Sequence, residues 1–208
     1  MRRKSLVIGG IVAGTVALTS TAAFALYPVS VTASSGPNHK ITGGTISGVA
    51  ISGGTASFAC GSSSLVGSSN YVTAGTLVDP EMTLGGVSFY GCTGTPINPV
   101  VTQTGTWHFR ADSGATSAAT DTAVVGRLTE VAFRVASPIP AVCTFTVTGE
   151  ATATYDETTG YLKVNETGST GNLEVAAVTG CGGTVSVGTP INLSATYQIG
   201  IGGIINIG

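Results

Sequence analysis

The stretch Cys143–Val164, CTFTVTGEATATYDETTGYLKV, constrains the fold of this chain more than any other. Cys143, Phe145 and Val147 alternate with Thr144, Thr146 and Thr148, the period of two that gives a strand one apolar and one wet face. Gly149 reads as a bulge, and Ala151, Ala153 and Tyr155 then continue the apolar series against Thr152 and Thr154. Asp156 to Gly160 supplies turn chemistry: a carboxylate able to accept from its own backbone, then a Gly free to take positive φ. Leu162 and Val164 return on the apolar face, so the stretch is one β-hairpin.

The same pattern of alternating β-branched residues and punctuating Gly recurs along the chain. Strands are expected at 26–32, 45–51, 55–60, 71–78, 87–92, 100–104, 106–111, 127–135, 143–155, 161–164, 172–178 and 191–201. No window sustains a helical stripe, because Gly interrupts every candidate. Many short strands with turn signals between them predict an all-β fold: an antiparallel β-sandwich or a partly closed barrel. The pairs Gly43-Gly44, Gly53-Gly54, Gly85-Gly86 and Gly182-Gly183 read as turns or bulges, since no helix follows them to make a phosphate cradle.

Residues 1–25 have the three parts of a secretory signal peptide. Met1-Arg2-Arg3-Lys4 is the basic start, Leu6 to Leu18 the apolar run, and Ala23-Phe24-Ala25 the cleavage site. The expected domains are therefore the signal peptide, 1–25, and a single secreted β-domain, 26–208, with no membrane span after cleavage. Three of the eight Lys and Arg leave with the leader while all ten Asp and Glu stay. The mature chain is mildly acidic, which argues against nucleic acid as a partner. Only 9% of the residues are charged, so Ser, Thr, Asn and Gly must make most of the wet surface.

Four cysteines, Cys60, Cys92, Cys143 and Cys181, follow the leader, and an even count in an oxidising compartment predicts two disulfides. No C-x-x-C pair is present, and the wide spacings speak against a metal site. Three pairings are open. An internal echo favours one of them: Gly91-Cys92-Thr93-Gly94 with Thr95-Pro96-Ile97-Asn98 resembles Gly180-Cys181-Gly182-Gly183 with Thr189-Pro190-Ile191-Asn192. If the two halves are related, the pairs are Cys60–Cys92 and Cys143–Cys181.

The densest polar constellation lies in Thr106–Asp112. Alternation puts Trp107, Phe109 and Ala111 on the core face and His108, Arg110 and Asp112 on the other. The stretch 127–135 is expected to bury Thr129, Val131, Phe133 and Val135 and to expose Glu130 and Arg134. If the two strands pair, His108, Arg110, Asp112, Glu130 and Arg134 share one face, either as a binding patch for a polar ligand such as a glycan or as cross-strand charge pairs. The second His, His39, stands in a turn-like segment with no carboxylate beside it in sequence. No nucleophile elbow, metalloprotease motif or phosphate loop is present. The expectation is a protein that is not an enzyme and has neither catalytic residues nor a cofactor.

At the C-terminal end Ile191, Leu193, Ala195, Tyr197, Ile199 and Ile201 share one face, and Ile204–Ile207 follows as an apolar tail. Such a tail docks on its own domain or pairs with another chain, and weak self-association through it is expected.

The order Phe58-Ala-Cys60, Val87-Ser-Phe-Tyr-Gly-Cys-Thr-Gly94, Cys143-Thr-Phe-Thr-Val-Thr-Gly149, Val178-Thr-Gly-Cys181 and Ala195-Thr-Tyr197 resembles small secreted all-β proteins of actinobacteria. More distantly, it is similar to secreted proteins described as activators of alkane oxidation and linked to biofilm matrix. The resemblance carries no catalytic residue. It implies a structural or adhesive role at the bacterial cell surface or in the extracellular matrix, with cell-surface components or further copies of the chain as partners. A ligand- or glycan-binding module and an oligomeric β-barrel pore are the alternatives.

Overall fold

The computed structural model describes residues 29–33, 40–69, 77–78, 80–95, 98–112, 123–139, 142–168, 172–200 and 205–207. The signal-peptide segment, His39 and Ile201 lie outside these residues, as does most of the strand expected at 71–78. The strands are β1 (Val29–Ala33), β2 (Lys40–Gly53), β3 (Ala56–Ser69), β4 (Leu77–Val78), β5 (Met82–Thr95), β6 (Val100–Gln103), β7 (Trp107–Ala111), β8 (Val124–Ala136), β9 (Cys143–Asp156), β10 (Tyr161–Glu166), β11 (Leu173–Gly180), β12 (Asn192–Gly200) and β13 (Ile205–Ile207). The only helical piece among the described residues is a 3-10 turn at Cys181–Gly183.

Ten of these strands close into a barrel of eight antiparallel staves. β2, β3 and β5 are three staves, β6 with β7 the fourth, β8 and β9 the next two, β10 with β11 the seventh, and β12 the eighth. The barrel closes where β12 pairs with β2. Each stave neighbours the next in sequence, so the fold is an up-and-down meander and closure removes the sheet edges that a sandwich would have to protect. Two staves are made of two strands each. β6 and β7 both lie between β5 and β8, and β10 and β11 share one edge of β9.

The interruption between β6 and β7 is sealed by side chains. Gln103 donates from Nε2 to the Leu84 carbonyl at 3.0 Å and accepts from the Val87 amide, replacing ladder bonds where β5 changes partner. The Ala132 carbonyl accepts from the Thr104 amide and from Trp107 Nε1, at 3.0 and 3.1 Å. Every backbone group so satisfied inside a barrel wall is one that does not exact a desolvation cost.

The interior is filled by the apolar half of each alternation. Trp107, Phe109, Phe133, Tyr155, Leu65, Met82 and Leu128 are fully buried within one continuous core. Trp107, Phe133 and the partly buried Phe89 form a triangle of tilted rings with centroids 6.3–6.4 Å apart. An eight-stranded barrel is about wide enough for side chains alone to fill it. Inside it, the Tyr197 and Ser63 hydroxyls lie 3.1 Å apart, and burial pushes the Tyr197 phenol up to about 12.

The hairpin that leads the sequence analysis stands as expected. Leu162 faces Tyr155, Val164 faces Ala153, and Asp156 accepts from the Thr158 and Thr159 amides at 2.9 Å each. Those donors hold its carboxylate below the ordinary range, the Thr159 amide contributing most. Gly160 takes φ 69. The bulge expected at Gly149 is instead on the partner strand. Between Leu128 and Val131 the register shifts, so that Thr129 and Glu130 together oppose Glu150. Gly149 keeps the alternation, and its absent side chain admits the Asn172 carbonyl, which a Cβ would meet at 1.9 Å.

Both disulfides are Cys60–Cys92 and Cys143–Cys181, and among the described residues there is no free cysteine. Each joins adjacent staves, the second to the third and the sixth to the seventh. Both lie near the end of the barrel where β2 runs into β3 through Gly54. The two four-stave halves therefore carry equivalent crosslinks, as the echo in sequence predicts. Crosslinks of this kind suit an oxidising compartment.

At the opposite end β1, β4 and β13 form a separate three-stranded sheet, with β1 central. The tail docks on its own chain: Ile207 faces Val31, is 2% exposed, and donates its amide to the Glu157 carboxylate. No helix among the described residues is long and apolar enough to cross a membrane.

Candidate functional site

The five ionisable residues singled out in the sequence stand on the outer face of the barrel. His108, Arg110 and Asp112 come from β7 and its end, Glu130 and Arg134 from β8. The strands pair, with His108 opposite Thr129 and Arg110 opposite Arg127. His108 Nε2 lies 3.7 Å from the Glu130 carboxylate and its Nδ1 lies 3.4 Å from the Thr83 hydroxyl. Arg134 is farther along β8, between Thr102 and Thr146, where β6 rather than β7 is the neighbour.

The bulge decides the rest of the arrangement. Two successive residues, Thr129 and Glu130, sit outside between the inward Leu128 and Val131, so the alternation inverts across them. Thr129 is buried as expected, but on the outer face: Arg110 donates from Nε to its hydroxyl at 3.1 Å and covers it. Upstream of the bulge the inverted phase turns Arg127 outward, where strict alternation from Val131 would place it inward. Arg127 is the hub the sequence reading missed. Its Nε donates to Asp112 at 3.0 Å and its Nη1 to Glu150 at 3.1 Å. The Asp112 hydrogen bond raises the guanidinium pKa further above its ordinary value, against a smaller opposing effect of burial. The signal in sequence is the run Leu128-Thr-Glu-Val131, two polar residues between two apolar ones.

Two buried carboxylates also escaped the sequence reading. Glu81 accepts from the Ala111 amide at 3.0 Å at the end of β7. Glu166 accepts from the Thr152 amide and hydroxyl at 2.8 and 3.0 Å, beside the Arg127–Glu150 pair. Glu130 itself, 65% exposed on its side chain, holds φ 57, a left-handed conformation uncommon for a residue with a Cβ. The whole belt runs across β5, β7, β8, β9 and β10. Its Glu130 carboxylate is open to solvent beside His108, while Arg127 is engaged between its two carboxylates. Among the described residues no cluster of three His, Cys, Asp or Glu side chains could hold a metal ion.

Fold and belt together define a disulfide-bonded, closed, up-and-down β-barrel with an apolar interior and a polar outer wall. No protein-family model matches the chain, and no curated protein and no solved structure matches it.

Proposed function

We propose that the protein is a secreted, non-enzymatic structural or adhesive barrel of the bacterial cell surface or extracellular matrix. The observation that carries this reading is the filling of the barrel. Trp107, Phe109, Phe133, Tyr155 and Met82 occupy the space in which a transport barrel holds its cargo, so contact with other molecules falls to the outer wall. That wall is mostly Thr, Ser and Gly on strands crosslinked in both halves, a surface suited to persistence outside the cell. The strongest ionic cluster is paired within itself, as wall-stiffening charges are. The signal-like leader and the two disulfides support export.

One observation favours the ligand-binding module as a second reading. The bulge presents Glu130 toward His108 in a strained backbone conformation, and bulges of this kind often aim a side chain at a site. The pore reading draws no support from a barrel whose apolar side chains face inward and whose Thr and Ser face outward, the reverse of a lipid-facing wall.

The test is fractionation of the native culture with an antibody to the β-domain, with intact mass of the recovered protein. Recovery in the wall or matrix fraction, with a mass starting at Leu26, is the expected result. Residence in the cytosol with residues 1–25 attached would overturn the reading.

A further inference from the structure

Among the described strands the charge is concentrated on one side of the barrel. β7, β8, β9 and β10 carry His108, Arg110, Arg127, Glu130, Arg134, Glu150, Asp156, Lys163 and Glu166, whereas the adjoining staves β12, β2, β3 and β5 hold Lys40 as their single charged residue. On these four staves the outward residues make rows of directly opposed positions. One row is Gln198, Gly44, Ser64 and Ser88. Tyr90, opposite Ser62, stands 54% exposed beside this row with its hydroxyl 3.5 Å from the Ser64 hydroxyl. The Ser64 and Ser88 hydroxyls draw the phenol below its ordinary pKa, Ser64 the more.

Four glycines of this face, Gly44, Gly61, Gly85 and Gly86, stand at the register shifts between β2 and β3 and between β3 and β5, and internal packing does not require them. A Cβ on Gly44, Gly61 or Gly86 would meet its nearest neighbour at 3.7–4.0 Å, ordinary contact, and one on Gly85 would meet nothing within 4 Å. None of the four is among the positive-φ glycines. Gly inside a strand weakens it relative to residues with side chains; at a bulge it relaxes the backbone, and it also leaves the backbone bare to an approach from outside. The open space over these four positions lets an occupant lie flat against the backbone beside Tyr90.

Its chemistry follows from what the face offers. With Lys40 alone at its margin, the face lacks the cations that nucleic acid, an anionic polymer or an anionic membrane needs. Ser and Ala are depleted at protein–protein interfaces, and the exposed apolar side chains of this face, Ile46, Val66 and Tyr90, stand among hydroxyls and glycines. Ser and Thr hydroxyls each donate and accept, matching a partner built of hydroxyls, and a flat aromatic ring offers the apolar contact that the C–H face of a sugar takes. We propose that the uncharged outer face of β12, β2, β3 and β5, centred on Tyr90, is a binding surface for a neutral polysaccharide. The inference deepens the adhesive reading and rests on it for the encounter outside the cell. It places the contact away from the His108–Arg110–Asp112 belt.

The experiment is affinity electrophoresis of the purified, oxidised β-domain through gels containing dextran, glycogen, mannan, xylan or hydroxyethylcellulose, with alginate as the charged control. Retardation in at least one neutral gel and none in alginate is expected. Tyr90→Ala should weaken it about tenfold or more, the scale of losing an aromatic anchor. Gly44→Thr should weaken it too while leaving the unfolding midpoint equal or higher, which separates a binding defect from a folding one. Arg110→Ala should bind as the parent does. Absence of retardation in every neutral gel, or retardation that survives both Tyr90→Ala and Gly44→Thr, overturns the proposal. So does a dimer in sedimentation that Tyr90→Ala abolishes, since the occupant would then be a second copy. None of these outcomes moves the protein out of the wall or matrix fraction, so failure here and failure of the surface reading are told apart.

Discussion

Arg127 donates from Nε to Oδ1 of Asp112 at 3.0 Å while its Nη1 reaches Glu150 at 3.1 Å, so one guanidinium ties three consecutive staves of the barrel wall. The side chains are 21%, 34% and 42% exposed, which leaves them open to solvent screening. A double-mutant cycle between Arg127→Met and Asp112→Asn should therefore give a coupling of only about 0.5–1 kcal/mol in urea unfolding. The coupling should shrink on raising salt from about 0.05 to about 1 M. A coupling that is absent at low salt would mean the pair is incidental to the wall.

Trp107 and His108 are neighbours on one strand with opposite fates. Trp107 fills the barrel and donates to the Ala132 carbonyl at 3.1 Å, so Trp107→Ala removes both a large buried volume and a satisfied bond. A loss of about 3–5 kcal/mol is expected. His108 has only the outer contacts to Thr83 and Glu130, and His108→Ala should cost no more than about 1 kcal/mol. The reverse order in a denaturant series would show the strand turned inside out.

Each disulfide closes a loop of similar size, with separations of 32 and 38 residues, across adjacent staves. Replacing either pair by Ser should lower stability by roughly 3–4 kcal/mol, through the greater freedom of the unfolded chain. Because the two crosslinks occupy equivalent places in the two halves, the two losses should match closely. Peptide mapping of the oxidised protein should yield only the Cys60–Cys92 and Cys143–Cys181 links.

What was legible in the sequence was alternation, and what was not was its interruption. Trp107, Phe109 and Ala111 against His108, Arg110 and Asp112 follow from a period of two, and so does the hairpin Cys143–Val164. Closure of the barrel depends on β12 meeting β2, a pairing between strands far apart in sequence that no local pattern encodes. β2 and β3 run longer than expected because Gly43, Gly44, Gly61 and Gly67 look like turn residues, yet here they lie in staves. Arg127 was missed because one bulge at Thr129–Glu130 inverts the phase of half a strand. The Tyr90 face was passed over because it is marked by absent charge and absent side chains, which motif reading does not register.

The buried Tyr197 phenol gives the barrel a pH limit on the alkaline side. Its pKa is raised to about 12 from 10.0, chiefly by burial, with the Ser63 hydroxyl pulling in the opposite direction. A group raised in the folded state contributes stability that is whole below its unfolded pKa and is lost as pH climbs to the folded value. Stability should therefore fall between pH 10.0 and about 12, by on the order of 3 kcal/mol from this residue. Tyr197→Phe should flatten that fall and remove one late-titrating phenol from the absorbance at about 295 nm. An unchanged titration curve in the variant would place the ionisation elsewhere.

The C-terminal tail, expected to dock on its own domain or to pair with another chain, docks on its own chain in β13. β13 is an outer strand of the small sheet and shields one edge of β1, with Val31, Thr32 and Ala33 opposite Ile207, Asn206 and Ile205. Ile207 is buried and its amide is bound by Glu157, so the strand is held by packing and by a carboxylate from the β9–β10 turn. Burial of one Ile contributes about 1.5–3 kcal/mol, against an ordering cost of about 1–2 kcal/mol per residue that the new ladder bonds must offset. Deleting residues 202–208 should then lower stability by no more than about 1–3 kcal/mol, because the β12–β2 pairing that closes the barrel does not involve β13. The deletion leaves β1 as an edge, and an exposed edge strand recruits other chains. Sedimentation velocity should accordingly show more association in the truncated protein than in the full chain. A truncated protein that is monomeric where the full chain is oligomeric would restore the tail as the assembling element and show that its docking on β1 is not what holds it in solution.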